Sequence, residues 1–111
     1  MPGGTASETM PERARLPTVV VLKGKTKQKE YLLSSRLTLI GKSSMATLQL
    51  RGWFAPKAAA QIAQRKDGYY LSPLSKRDAH VNGRRITGPT LLSEGDLIEV
   101  AGVSLKFIYR G

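Results

Sequence analysis

The pair Asn82-Gly83, set between Val81 and Arg84-Arg85-Ile86, most constrains this chain. Asn and Gly accept positive φ more readily than other residues, so the pair closes two flanking strands into a tight hairpin. Asp67-Gly68 ahead of Tyr69-Tyr70-Leu71 repeats the signal, and Gly88-Pro89 and Glu94-Gly95-Asp96 punctuate two further turns. Between the turns stand short apolar runs: Thr18-Val19-Val20-Val21-Leu22, Tyr31 to Leu33, Leu37 to Ile40 and Leu48-Gln49-Leu50. Near the end Val103, Leu105, Phe107 and Tyr109 alternate with Ser104, Lys106 and Ile108, a period of two that gives one face to a core. Turns about every eight to twelve residues with short strands between them predict an all-β, two-sheet sandwich. About ten or eleven short strands are expected.

One segment gives conflicting signals. Pro56 followed by Lys57-Ala58-Ala59-Ala60-Gln61-Ile62-Ala63-Gln64 reads as a helix with proline in its first turn, because Ala and Gln are good helix formers. A helix of about ten residues is marginal alone, however, and this one would run into the Asp67-Gly68 hairpin, which needs a strand on each side. From its own residues the segment still reads as helix.

The length, 111 residues, fits one domain, whose core buries roughly two thirds of the surface that its unfolded chain exposes. With no cysteine and a lone His80 there is no disulfide and no usual zinc set, and no metal or cofactor is implied. Residues 1–16, rich in Pro, Gly, Thr and Ser with scattered apolar positions, are expected to form a disordered tail, and residues 17–111 the domain. The absence of a signal-like run or an apolar stretch of about 18 residues points to a cytoplasmic setting without a membrane span. Eighteen Lys and Arg against eight Asp and Glu give +10, a field that attracts phosphorylated or acidic peptides, nucleic acid or anionic lipid.

Catalytic readings fail on spacing. Gly41-Lys42-Ser43 ends like a phosphate loop, but the glycine needed five residues before Gly41 is Arg36, and a strand pattern follows instead of a helix. His80 has no marked nucleophile, and Glu94 and Asp96 flanking Gly95 read as turn residues that hydrogen-bond their own backbone. The chain is not expected to be an enzyme.

Leu39-Ile40-Gly41-Lys42-Ser43, Phe54 to Ile62, Val81-Asn82-Gly83 and Leu92-Ser93-Glu94-Gly95-Asp96-Leu97-Ile98, in that order, resemble the forkhead-associated (FHA) domain. The resemblance covers roughly Thr18 to Tyr109 and implies a sandwich of the FHA/SMAD type that recognises phosphothreonine peptides. With it, a strand becomes the expectation for the segment after Pro56. Its binding positions are altered. Lys42 stands where the family has an arginine, and Pro56, Lys57 and Ala59 stand where it has serine, arginine and histidine. Ser75-Lys76-Arg77-Asp78 replaces the family's Ser-Thr-Asn-Gly, and Thr47 replaces an aspartate. The residues so implied in binding a phosphopeptide or other partner are Lys42, Ser43, Lys57, Ser75, Lys76, Arg77 and Asn82.

These exchanges give up directional donors for point charges, and Pro56 offers neither side-chain nor backbone donor. The expectation is a signalling or scaffolding module, of a bacterial kind, that binds a protein partner through its loop face with weak or absent phosphothreonine selectivity. The alternative is nonspecific nucleic-acid binding through the basic surface. Trp53 and Phe54 are expected to plug the edge of the core; if exposed, they become a hydrophobic protein contact.

Overall fold

A computed structural model describes residues 15–52, 54–75 and 79–111. The chain runs through β1 (Leu16–Lys23), β2 (Glu30–Leu32), β3 (Leu37–Gly41), β4 (Leu48–Gln49), β5 (Ala60–Arg65) and β6 (Gly68–Pro73). It continues through β7 (Ala79–Val81), β8 (Arg84–Ile86), β9 (Thr90–Leu91), β10 (Leu97–Val100) and β11 (Val103–Arg110). These make a six-stranded sheet in the order β2-β1-β11-β10-β7-β8 and a five-stranded sheet in the order β9-β6-β5-β3-β4. The expected two-sheet sandwich is therefore what forms. The expected tail lies outside the described residues as far as residue 14, and Leu16 already opens β1.

The longest ladder joins β1 to β11, from Leu16 opposite Arg110 to Lys23 opposite Ser104, with a register shift after Ser104. Every second residue of β11 is buried at Val103, Leu105 and Phe107, as the period of two required. Val19, Tyr31, Ile98 and Val100 join them, and Ile40, Leu48, Ile62 and Leu71 come from the other sheet to complete one core. Phe107 sits at the centre of an aromatic chain, 5.9 Å from Tyr69 and 5.2 Å from Tyr109 between ring centroids, the second contact edge-on.

The ambiguous segment is a strand from Ala60 to Arg65. It pairs with β3 through Ile40–Ala60 and Leu37–Ala63, and with β6 through Ala60–Pro73 and Arg65–Gly68. Two ladders and the burial of Ala60 and Ile62 outweigh a helix preference of a few tenths of a kcal/mol per residue. Asn82 and Gly83 take φ of 53° and 82°, the two positive values of the expected tight turn.

β1 is apolar on both faces. Its outward Leu16 and Leu22, with Leu32 of β2, remain about half exposed. Thr18 also points outward, yet it is 2% exposed. By register its row lies between those of Arg110 and Glu30, whose side chains form an ion pair across β1 from β11 to β2 and so cover it. Among the described residues no helix is long and apolar enough to cross a membrane.

Candidate functional site

Strand directions send six connections toward one end of the sandwich: residues 24–29, 42–47, 50–59, 74–78, 87–89 and 101–102. Backbone hydrogen bonds then tie four of these connections side by side. The N–H groups of Lys42 and Ser43 donate to the carbonyls of Pro56 and Lys57 (2.8 and 3.1 Å), and Ala59 N–H donates to Ile40 (2.8 Å). On one flank Leu74 N–H donates to Ala59 (3.0 Å). On the other, Leu50 N–H donates to Gly41 (2.8 Å), and residues 49–51 take the 25–27 segment through the Thr26–Leu50 bridge.

Gly41 makes the central approach possible. A Cβ there would lie far inside van der Waals contact with the Lys57 carbonyl oxygen and 2.6 Å from its carbonyl carbon. Glycine is required because the Lys57 backbone already fills the space that a side chain would take. Gly41-Lys42-Ser43 thus has a structural reason unrelated to nucleotides.

This framework brings Lys42, Ser43, Lys57 and Ser75 to the same end. Lys42 and Lys57 are exposed, while Ser43 and Ser75 are half-buried. The Ser43 hydroxyl oxygen accepts from Met45 N–H at 3.1 Å, which fixes the oxygen and leaves its hydrogen to donate outward. Lys76 and Arg77 lie outside the described residues, as does Asp78.

Asn82 stands apart from this group. It follows β7 at the end opposite Ser75, because Val81 pairs with Ile98 while Ala79 pairs with Val100 at the loop end. Its amide nitrogen donates to Asp96 Oδ1 (2.9 Å) and its Oδ1 accepts from Leu97 N–H (2.9 Å). Asp96 Oδ2 accepts in turn from Ser93 N–H at 2.8 Å. Asn82 and Asp96 together clasp two turns, which accords with the turn reading of Asp96.

Phe54 is not a core plug: it is 74% exposed. Met45 (84%) and Leu74 (45%) are exposed too, so each of the three loops 42–47, 50–59 and 74–78 presents an apolar side chain. Trp53 lies outside the described residues. Spacing gave no hint of this, because large aromatics beside a glycine more often plug a core edge than meet a partner. Sequence reading also left Lys25, Lys27 and Arg51 unassigned, although the structure sets them beside the predicted cations. In sequence, the polar and basic run from Lys23 to Lys29 reads only as a hairpin connection.

No protein-family model matches the chain, and no match is found among curated proteins. Solved structures do match it, and they define the class: this is the FHA fold, on a chain of divergent sequence. An FHA domain of an Arabidopsis thaliana hypothetical protein superposes with a TM-score of 0.77 at 13% identity, covering 87% of each chain. The FHA domain of a Chlamydia trachomatis protein gives 0.73 at 22% identity, over 84% of this chain and 96% of that one. Mycobacterium tuberculosis EmbR, solved with a low-affinity phosphopeptide, gives 0.77 at 22% identity over 86% of this chain, which spans only 25% of EmbR.

Proposed function

We propose that this chain is a non-catalytic protein-binding module that takes its partner through the loop end, in a signalling or scaffolding role, with little selectivity for phosphothreonine. The observation that carries this reading is the pairing, on the same three loops, of the exposed cations Lys42 and Lys57 with exposed Phe54, Met45 and Leu74. A phosphate needs only the cations. Apolar groups held out on hydrogen-bonded loops suit a protein surface, where aromatic anchors dominate the binding energy. The FHA fold and the phosphopeptide seen on EmbR support a phosphorylated or acidic peptide as the segment taken.

Weak selectivity follows from the donor set. Lys42 and Lys57 attract any anion as point charges, whereas an arginine fork would also read oxygen geometry. Ser43 supplies one oriented hydroxyl. Nucleic acid is the second reading and rests on the net charge of +10 alone.

A residue-resolved NMR titration with a phosphothreonine peptide, its unphosphorylated twin and a short oligonucleotide tests this. Shifts at residues 42–45, 54–58 and 74–75 with either peptide, differing less than about tenfold in affinity, are the expected result. Tight binding of the phosphorylated peptide alone would overturn the weak selectivity. Diffuse shifts with the oligonucleotide only would overturn the protein-binding reading.

A further inference from the structure

The segment Lys23-Gly24-Lys25-Thr26-Lys27-Gln28-Lys29 is a docked part of the loop end. Arg51 N–H donates to the Lys25 carbonyl (3.0 Å) and Lys27 N–H to that of Gln49 (3.3 Å), on either side of the Thr26–Leu50 bridge. Within the segment Thr26 Oγ1 donates to the Gln28 carbonyl (2.5 Å) and Gln28 N–H donates to the Tyr31 hydroxyl (2.7 Å). Gly24 lies so close to the turn before β11 that a Cβ there would meet Val103 Cγ2 at 2.8 Å. A lysine-rich connection with its backbone held at this many points roots its side chains at fixed places, with each charge on a flexible stem.

The described residues of the six connections at this end carry Lys25, Lys27, Lys29, Lys42, Arg51 and Lys57, and no carboxylate. Asp67, Glu94 and Asp96 lie at the opposite end, Glu30 is paired with Arg110 on the sheet, and Glu99 stands on β10 between His80 and Ser104, just below the 101–102 turn. The hydrogen bonds order the segments as 25–27, 49–51, 41–43, 56–59 and 73–74. Neighbours in such a row stand about 4.8 Å apart, so Lys25 and Lys27 lie three spacings, or about 14 Å, from Lys57. An extended peptide covers that distance in about four residues.

We infer that Lys25, Lys27 and Arg51 form a second anion station, so that the ligand is a phosphopeptide carrying acidic side chains about four residues from its phosphorylated residue. This rests on the reading of the loop end as a peptide site and adds to it a register and a composition. Two anions at a set spacing are recognised by two fixed cationic stations more tightly than either alone, because the second contact is intramolecular. A peptide fits better than a nucleic-acid duplex, whose evenly spaced phosphates leave the exposed Met45, Phe54 and Leu74 unused.

Fluorescence anisotropy with four labelled phosphothreonine peptides is the test. One has neutral flanks, one has a Glu-Glu pair four and five residues before the phosphothreonine, one has the pair at the same distance after it, and one has the pair adjacent. One distal placement should bind about three- to tenfold tighter than the neutral peptide, the range for a pair of exposed ion contacts. That gain should vanish in Lys25→Ala/Lys27→Ala, whose affinity for the neutral phosphopeptide stays at the wild-type value and whose amide spectrum shows it folded. Equal affinity for all four peptides, or a gain that survives the double substitution, overturns the second station and leaves the peptide site standing. Failure of wild type to bind any phosphopeptide overturns both. An oligonucleotide that binds as tightly as the best peptide, with the same dependence on Lys25 and Lys27, overturns the inference in favour of nucleic acid.

Discussion

Gly41 and Lys57 touch through their backbones: the carbonyl of Lys57 occupies the place where any side chain on residue 41 would begin. The two loops that carry Lys42 and Lys57 therefore form one body, with spacing set by a missing Cβ. Gly41→Ala must push residues 56–58 away or break the Lys42–Pro56 and Ser43–Lys57 hydrogen bonds. Expected is a loss of about 1–3 kcal/mol in denaturant unfolding, as for overpacking, with amide shift changes concentrated at residues 42–43 and 56–59. An unchanged midpoint would show that the contact is slack.

Asn82 does two jobs that substitution can separate. It takes φ of 53° and it clasps Asp96 and Leu97. Asn82→Gly keeps the backbone and loses the clasp, a pair of hydrogen bonds, and it should cost about 1–3 kcal/mol at the usual net worth of each. Asn82→Ala loses both and should cost about 1 kcal/mol more. Because the turn is at the end opposite Lys57, neither should alter peptide affinity by more than about twofold. A loss confined to affinity would place Asn82 in the site.

Rebuilding the directional donors is the converse experiment. Lys42→Arg, Pro56→Ser and Lys57→Arg together restore two guanidinium forks and a hydroxyl. The Pro56 carbonyl that accepts from Lys42 N–H belongs to the backbone, so this bond survives the change. Calorimetry should show phosphothreonine preference over the unphosphorylated peptide rising about tenfold or more. No gain would mean that position, rather than donor chemistry, limits recognition.

Glu94 gives a signed pH prediction. Its carboxylate accepts from Tyr109 N–H (3.2 Å) and from Arg15, and the two hold its pKa below the ordinary value of 4.5, the backbone bond contributing most. The ionised form is thus favoured in the folded state. Its stabilisation is complete above the ordinary value and fades as pH falls below it towards the lowered one. Thermal unfolding followed from pH 7 to pH 3 should show a decline below about pH 4.5 that Glu94→Gln makes shallower. Parallel profiles for wild type and variant would dismiss the contribution.

Much of the fold was legible because its signals are local. Asn82-Gly83 and the alternation over Val103 to Tyr109 each specify a geometry within a few residues, and both formed as read. The hairpin between β5 and β6 was legible in kind, but its loop residues are Lys66 and Asp67, with Gly68 already paired to Arg65. The Ala101-Gly102 turn went unread. Ala101 takes φ of 49° there, a conformation its side chain disfavours, and the sheet on both sides imposes it. At the candidate site the predicted cations Lys42 and Lys57 were readable from alignment of motifs. The neighbours that fix them were not, since Thr26 with Leu50 and Gly41 with Lys57 are pairings between distant segments that no local pattern encodes. Phe54 was misjudged for the same reason: exposure depends on what the rest of the chain leaves uncovered.

The pairing of Leu16 with Arg110 puts the entry and exit of the sandwich side by side, at the pole away from the cationic loops. Tethers, dyes or fused domains attached at Gly111, next to Arg110, would therefore stand away from the proposed binding pole. Surface immobilisation through Gly111 is accordingly the orientation in which the binding experiments above should be run.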